Sequence, residues 1–117
     1  MRSKYHNKRV TVNGVTFASG LESRRYQELL LLMRTGIVQE IELQPKYLLQ
    51  EAFKKNGKLI RAIHYIADFH VTYADGHQEI EDVKGRFITP EFRLKQKLFE
   101  HRYPDLTIKI VTARTKH

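Results

Sequence analysis

The sequence predicts a single α/β domain, with a mixed central β-sheet flanked by two main helices and preceded by an N-terminal β-hairpin. Three observations carry this prediction. Alternating Val and Thr surround Asn13-Gly14 in VTVNGVTF, the pattern of two strands joined by a tight turn. A helical segment opens at Ser19, and only short strand-like runs follow it until a second helix begins near Thr89. After that helix the chain returns to a strand, TIKIVT, and a late helix-to-strand crossover belongs to α/β architecture.

The elements follow in order. Residues 1–9 are polar and basic and read as a flexible arm. Ser19 with Glu22 three residues on fits a capping box, and Gly36 stops the helix after about Thr35. On the helical wheel Glu22 shares a stripe with Tyr26, Leu29, Leu30 and Met33, so it heads the inward face. Residues 37–42 and 46–50 read as short strands around Pro45, and Lys54 to Lys58 as a polar turn containing Asn56-Gly57. One long strand is expected from about Leu59 to Tyr73, a turn at residues 74–77, and a returning strand from Gln78 to Lys84. Thr89-Pro90-Glu91 is an N-cap, a first-turn proline and a first-turn acid, opening a helix that runs to about Tyr103. Its apolar stripe is Phe92, Phe99 and Tyr103, flanked by Lys95 and Gln96. Residues 113–117 read as a loose basic tail.

The chain has 117 residues, one domain's worth, with 41% apolar residues and no cysteine. Disulfides, thiolate nucleophiles and cysteine-bound zinc are thereby excluded. The N-terminus lacks the apolar segment of a signal peptide, and the run at Leu29–Met33 is too short to span a bilayer. The expected setting is the cytoplasm, that of a host cell if the chain is phage-encoded, with no membrane partner. Lys and Arg number 21 against 13 Asp and Glu, a formal charge of +8. Such a balance favours a polyanionic partner, chiefly nucleic acid.

The chemistry concentrates between Tyr65 and Gly85. Asp68 interrupts an apolar strand, YIADF, and EDVKG puts Asp82 and Lys84 two residues apart on the next one. Alternation points Asp82 and Lys84 to one face and Val83 to the other. A buried carboxylate is costly unless it is paired or bound to a metal. Two acids and a lysine across a hairpin suit a hard cation held by oxygen ligands, such as Mg²⁺ or Mn²⁺. Such a cation polarises a phosphodiester and acidifies a bound water. Asp68 and Asp82 are the expected ligands, with the carbonyl of Val83 and the carboxylate of Glu22 completing the set. Lys84 would orient or help deprotonate the attacking water, or hold the phosphate. Arg86 and Arg93 are candidate phosphate contacts, and Lys95 and Gln96 could reach the site or the DNA backbone.

These residues, in this order, resemble the PD-(D/E)XK nuclease superfamily. The matching positions are Glu22 on the first helix, Asp68 on a strand, and Asp82 and Lys84 on the next. The phrases VNGVTFASGLESRRYQEL, IELQPKYLLQ, IHYIADF and EDVKG resemble small phage and prophage members of it, over roughly residues 8–112. Two departures stand out: Ala67 precedes Asp68 where the motif has proline, and Asp82 replaces the more usual Glu. The resemblance implies a restriction-endonuclease-like core and a metal-dependent endodeoxyribonuclease with Glu22, Asp68, Asp82 and Lys84 as catalytic residues. It also implies cleavage of branched or Holliday-junction DNA in recombination or DNA processing. Two opposed cuts would require a symmetric homodimer.

Plainer readings stand beside these. Glu22 can serve as a capping acid only, and Asp82 with Lys84 as an ordinary strand pair. Glu79 and Glu81, on the other face from Asp82, read as solvated or as salt-bridge partners. Arg24 and Arg25 read as helix surface, with Arg25 a further candidate for gripping phosphate. His64 and His70 read as bystanders, His70 being the likelier exception. A non-catalytic DNA-binding or recombination-accessory module shares the charge and the fold. A restriction- or transposase-type cutter directed by a partner protein is a third reading.

Overall fold

The computed structural model of the chain describes residues 9–85 and 87–113. The α/β expectation holds: two helices pack against mixed and antiparallel sheets. Strands β1 (Val10–Val12) and β2 (Val15–Phe17) form the N-terminal hairpin. Its turn places Asn13 at φ 50° and Gly14 at φ 79°, the left-handed pair that such a turn requires. Helix α1 (Gly20–Arg34) starts where Ser19 Oγ accepts the Glu22 N–H at 3.2 Å. It ends before Gly36, whose φ of 85° releases the chain from the helix.

The central sheet contains β3 (Val38–Leu43), β8 (Phe69–Tyr73), β9 (Gln78–Val83) and β10 (Ile108–Val111), in the order β10-β9-β8-β3. Strands β3, β8 and β9 are antiparallel neighbours, and β10 lies parallel to β9. A parallel partner needs a crossover, and α2 (Pro90–Arg102) supplies it. Thr89 Oγ1 caps α2 by accepting the Phe92 N–H at 3.1 Å.

Side chains alternate across this sheet and build a core on each face. On one face Phe69 and Val71 join Leu29 of α1, Phe17 and Val38. On the other, Ile80 and Ile108 join Phe92 and Phe99 of α2, Leu49 and Tyr65. The sheet is therefore sandwiched between helices.

The expected long strand from Leu59 to Tyr73 is instead three strands. They are β6 (Lys58–Ile60), β7 (Ile63–Ile66) and β8. Across from them run β5 (Phe53–Lys55), β4 (Lys46–Gln50) and β3. The result is one antiparallel ribbon, interrupted where Gln44-Pro45 faces Ala67-Asp68. Pro45 has no N–H to continue the ladder, and Gln44 takes φ 49°. At the interruption Gln44 N–H donates to the Asp68 carbonyl at 3.0 Å, and Ala67 N–H to that of Pro45 at 3.1 Å. The Asp68 N–H turns to Glu81 on β9, at 3.0 Å. The residues read as a polar turn, 54–58, are the end of this ribbon.

One buried ion pair clips α1 to the sheet. Arg25 Nε and Nη2 donate to the two carboxylate oxygens of Glu81 at 2.7 and 2.6 Å. Both side chains are almost fully shielded, at 2% and 0% exposure. The assignment of Arg25 to the DNA surface is thus corrected: it serves the core. Burial opposes the charge on its guanidinium, but the hydrogen bonds and charge of Glu81 outweigh that, and its pKa is raised. Of the alternatives for Glu81, salt-bridge partner is the one found. Among the described residues no helix is long and apolar enough to cross a membrane.

Removing one partner of a buried pair leaves the other uncompensated. Arg25→Met or Glu81→Gln should cost about 3–5 kcal/mol in urea unfolding. The double apolar replacement should cost less than the two single changes added. Single changes below ~1 kcal/mol would refute the role given to this pair.

Candidate active site

The break in the ribbon places Asp68 at the start of β8, beside the end of β9. Its Oδ2 accepts the Val83 N–H at 2.6 Å. Asp68 shares a cavity of roughly 200 Å³ with Glu22, Phe17, Leu43 and Gln44. Burial raises the Asp68 pKa to about 7, against the lowering effect of the Val83 hydrogen bond. The charges of Glu22 and Asp82 add to the rise, and Lys84 opposes it. Glu22 is also raised, by burial first and by Asp82 second. Its backbone N–H meets the capping Ser19, as any residue at that position would, while its carboxylate feels the charge of Asp82, in keeping with the inward reading of Glu22.

Asp82 and Lys84 share a face, as alternation requires, with Lys84 Nζ 3.0 Å from Asp82 Oδ1. Val83 points the other way, into the core cluster of Phe17 and Val71. Asp82 is buried, and its Oδ2 accepts the Tyr65 hydroxyl at 2.6 Å. Burial, then that hydrogen bond and the charge of Asp82, drive the Tyr65 pKa strongly upward, so Tyr65 stays a neutral donor. Lys84 Nζ lies 3.9 Å from the centroid of the Phe92 ring, a cation–π contact that fixes the ammonium. The Lys84 backbone is tied to β10 through the Val111 carbonyl at 2.9 Å.

Asp82 and Lys84 open onto a second cavity, of roughly 300 Å³, together with His64, Tyr65, Glu91 and Lys95. Val83 and Glu22 border a third hollow with Gly85. A larger concavity than either, roughly 590 Å³, lies between β1 and α1 and lacks Glu22, Asp68 and Asp82, so size does not locate the chemistry. Among the described residues no three His, Cys, Asp or Glu side chains stand together as a ready-made chelating group.

The remaining candidates divide. Lys95 reaches the cavity of Asp82 and Lys84, and Glu91 holds it at 3.7 Å. Gln96 is occupied along α2, accepting from Arg93 at 2.9 Å and donating to Glu100 at 3.5 Å, and Arg93 is exposed beside it. Arg86, residues 1–8 of the arm and residues 114–117 of the tail lie outside the described residues. Of the two histidines, His64 borders the cavity. His70 bridges Tyr47 at 2.8 Å and Gln78 at 2.6 Å. Sequence reasoning missed Tyr65 and Phe92 as the side chains that hold Asp82 and Lys84. It missed the Arg25–Glu81 pair too, although Arg25 stands three residues after Glu22 and four before Leu29, on the buried side of the helix.

The fold and site together define an α/β protein with an acidic cluster and a lysine at a strand break, on a basic body. Residues 2–117 match the family described as Protein of unknown function (DUF1064), and the chain belongs to that family. No curated protein matches the chain. No solved structure does either.

The raised Asp68 pKa has a sign that can be measured. An unfolded Asp ionises near ~4, the folded one near 7, so the folded state holds this proton more tightly. The stabilisation this gives is complete below about pH 4 and is lost as pH rises through about 7. Asp68→Asn keeps an acceptor for Val83 without the charge. It should be more stable than the parent near pH 8 by up to a few kcal/mol, since each tenfold difference in proton affinity is worth ~1.4 kcal/mol. The gap should close near pH 4. Urea unfolding at both pH values checks this, and a gap that ignores pH would exclude it.

Proposed function

We propose that the chain is a metal-dependent endodeoxyribonuclease of the PD-(D/E)XK type, acting on branched or junction DNA. The observation that carries the reading is the strand break that sets Asp68 beside Glu22 and in electrostatic contact with Asp82 and Lys84. The order α1-β3-β8-β9-α2-β10, with β10 parallel to β9, is compatible with a restriction-endonuclease-like core.

The donor set fits a hard cation. Mg²⁺ commonly takes one or two carboxylates and keeps several waters, so a three-acid cage is not required. Asp68 and Asp82 would hold Mg²⁺ or Mn²⁺, with the Val83 carbonyl and Glu22 as further donors. The bound cation supplies charge neutralisation at the phosphate and a more acidic water. The side chains do the rest. Lys84, fixed by Asp82 and Phe92, presents a proton-rich ammonium to the cavity, where it can hold a phosphate oxygen or orient a water. Tyr65 locks the Asp82 carboxylate by donating to Oδ2. Lys95, on the same cavity, adds positive charge for the DNA backbone.

A non-catalytic DNA-binding module is the second reading. It is favoured by the full use of Asp82, whose two oxygens already take Tyr65 and Lys84. Cleavage of labelled four-way junctions, flaps, duplex and single strands, with Mg²⁺ or with EDTA, separates the two. The nuclease reading expects Mg²⁺-dependent product that falls about 10²-fold or more in Asp82→Asn and in Lys84→Ala. Equal product from parent and Asp82→Asn would refute the mechanism, and no cleavage of any substrate would favour the second reading. Opposed cuts on a junction also call for a homodimer, visible by light scattering on the DNA complex.

A further inference from the structure

The end of the long ribbon does no work for the fold. Every residue from Glu51 to Arg61 is exposed, including the whole of β5 and β6. Phe53, Leu59 and Ile60 are 44%, 65% and 39% exposed. A lone two-stranded hairpin is marginal in water unless something covers it. Yet this one has a regular register, Phe53↔Ile60, Lys54↔Leu59 and Lys55↔Lys58, and a turn with Asn56 at φ 51° and Gly57 at φ 77°.

Its chemistry is one-sided in charge. Lys54, Lys55, Lys58 and Arg61 are all basic, and residues 52–67 contain no acid. Glu51, at its base, is turned toward Arg102 at 3.8 Å. Successive pairs face opposite sides. Phe53, Ile60, Lys55 and Lys58 therefore share one face, and Lys54 and Leu59 the other. Cations and apolar groups mixed on both faces suit no protein core. A second copy would bring like charges together. A polyanion with apolar edges is complementary: phosphates for the cations, sugars and thymine methyls for Phe53, Leu59 and Ile60.

The position of the hairpin is equally telling. The ribbon leaves the body through β7, whose His64 and Ile66 line the cavity of Asp82 and Lys84. At ~3.3 Å per residue, Lys58 stands at most about 26 Å from Ile66, the length of seven or eight base pairs. The radius of gyration is 16.2 Å, where a compact chain of this length would have about 13 Å. A two-stranded ribbon is also an element that the major groove, about 12 Å wide, admits.

We infer that the β5–β6 hairpin is a DNA-gripping arm that seats in the major groove of a duplex segment flanking the site. This rests on the DNA reading above but not on catalysis, so binding is measured in EDTA, where no metal-dependent cleavage can occur. The full chain and the variant Lys54→Ala/Lys55→Ala/Lys58→Ala/Arg61→Ala would be titrated onto a fluorescent duplex longer than two helical turns, from low to high salt. The variant should bind about tenfold or more weakly at low salt, with a slope of log K against log salt shallower by about 3.6, near 0.9 for each of the four lost phosphate contacts. Its melting temperature should be unchanged, since none of the four side chains is buried. Phe53→Ser/Leu59→Ser should weaken binding with the slope kept. Unchanged affinity and slope in the quadruple variant would overturn the inference. So would unchanged DNA binding with a halved mass in light scattering, which assigns the hairpin to a contact between copies. Unchanged DNA binding with lost binding to anionic vesicles would overturn it as well. If the parent cleaves nothing in Mg²⁺ yet the slope falls as stated, the arm stands and the hydrolytic reading falls.

Discussion

The Arg25–Glu81 pair is the interaction on which the rest of the arrangement depends. Two short hydrogen bonds between fully shielded charges fix the roll of α1 against the sheet. Glu22 stands three residues before Arg25, one turn nearer the helix start, and is thereby directed at the strand break. The partner, Glu81, belongs to β9, and the next residue is Asp82. One strand therefore holds the helix with one side chain and presents a site acid with the next, on opposite faces. Such a pair is weak as a source of net stability but strong as a constraint, because either half alone would be an uncompensated buried charge.

The second constraint is the interruption at Gln44-Pro45 and Ala67-Asp68. It frees the Asp68 carboxylate from the regular alternation and sets it between the two faces of the sheet. There it shares a cavity with Glu22 and feels the charge of Asp82. Negative charge gathered in a poorly hydrated place must be relieved. The molecule offers four reliefs on its own: the Val83 N–H, the Tyr65 hydroxyl, the Lys84 ammonium and the proton that Asp68 keeps up to about pH 7. Under the proposed function a divalent cation would be a further one, taking the place of that proton.

Much of this was legible in the residues. Asn13-Gly14, Ser19, Gly36 and Thr89-Pro90 placed the hairpin and both helices, since turn and cap chemistry is local. The spacing of Asp82 and Lys84 gave their common face, since strand alternation is local too. What was not legible depended on pairing. Pro45 separates two strands in the sequence pattern, but nothing local shows that residues 67–68 lie across from it and inherit the break. Arg25, beside the exposed Arg24, looked like surface until Glu81 came within reach from a strand far along the chain. The hairpin at residues 53–60 looked like a polar turn because its Asn-Gly and lysines mark turns. The exposure of Phe53, Leu59 and Ile60 among the described residues is a tertiary fact that no local pattern carries.

The site and the arm are two parts of one ribbon, joined at β7. A duplex held along the arm would run toward the cavity of Asp82, Lys84 and Lys95. The most direct measurement of the central claim is the position of a cation. Anomalous scattering from crystals soaked in Mn²⁺ should give a peak bonded to the carboxylates of Asp68 and Asp82, absent in Asp68→Asn crystals. A peak elsewhere, or none at those carboxylates in the parent, would contradict it.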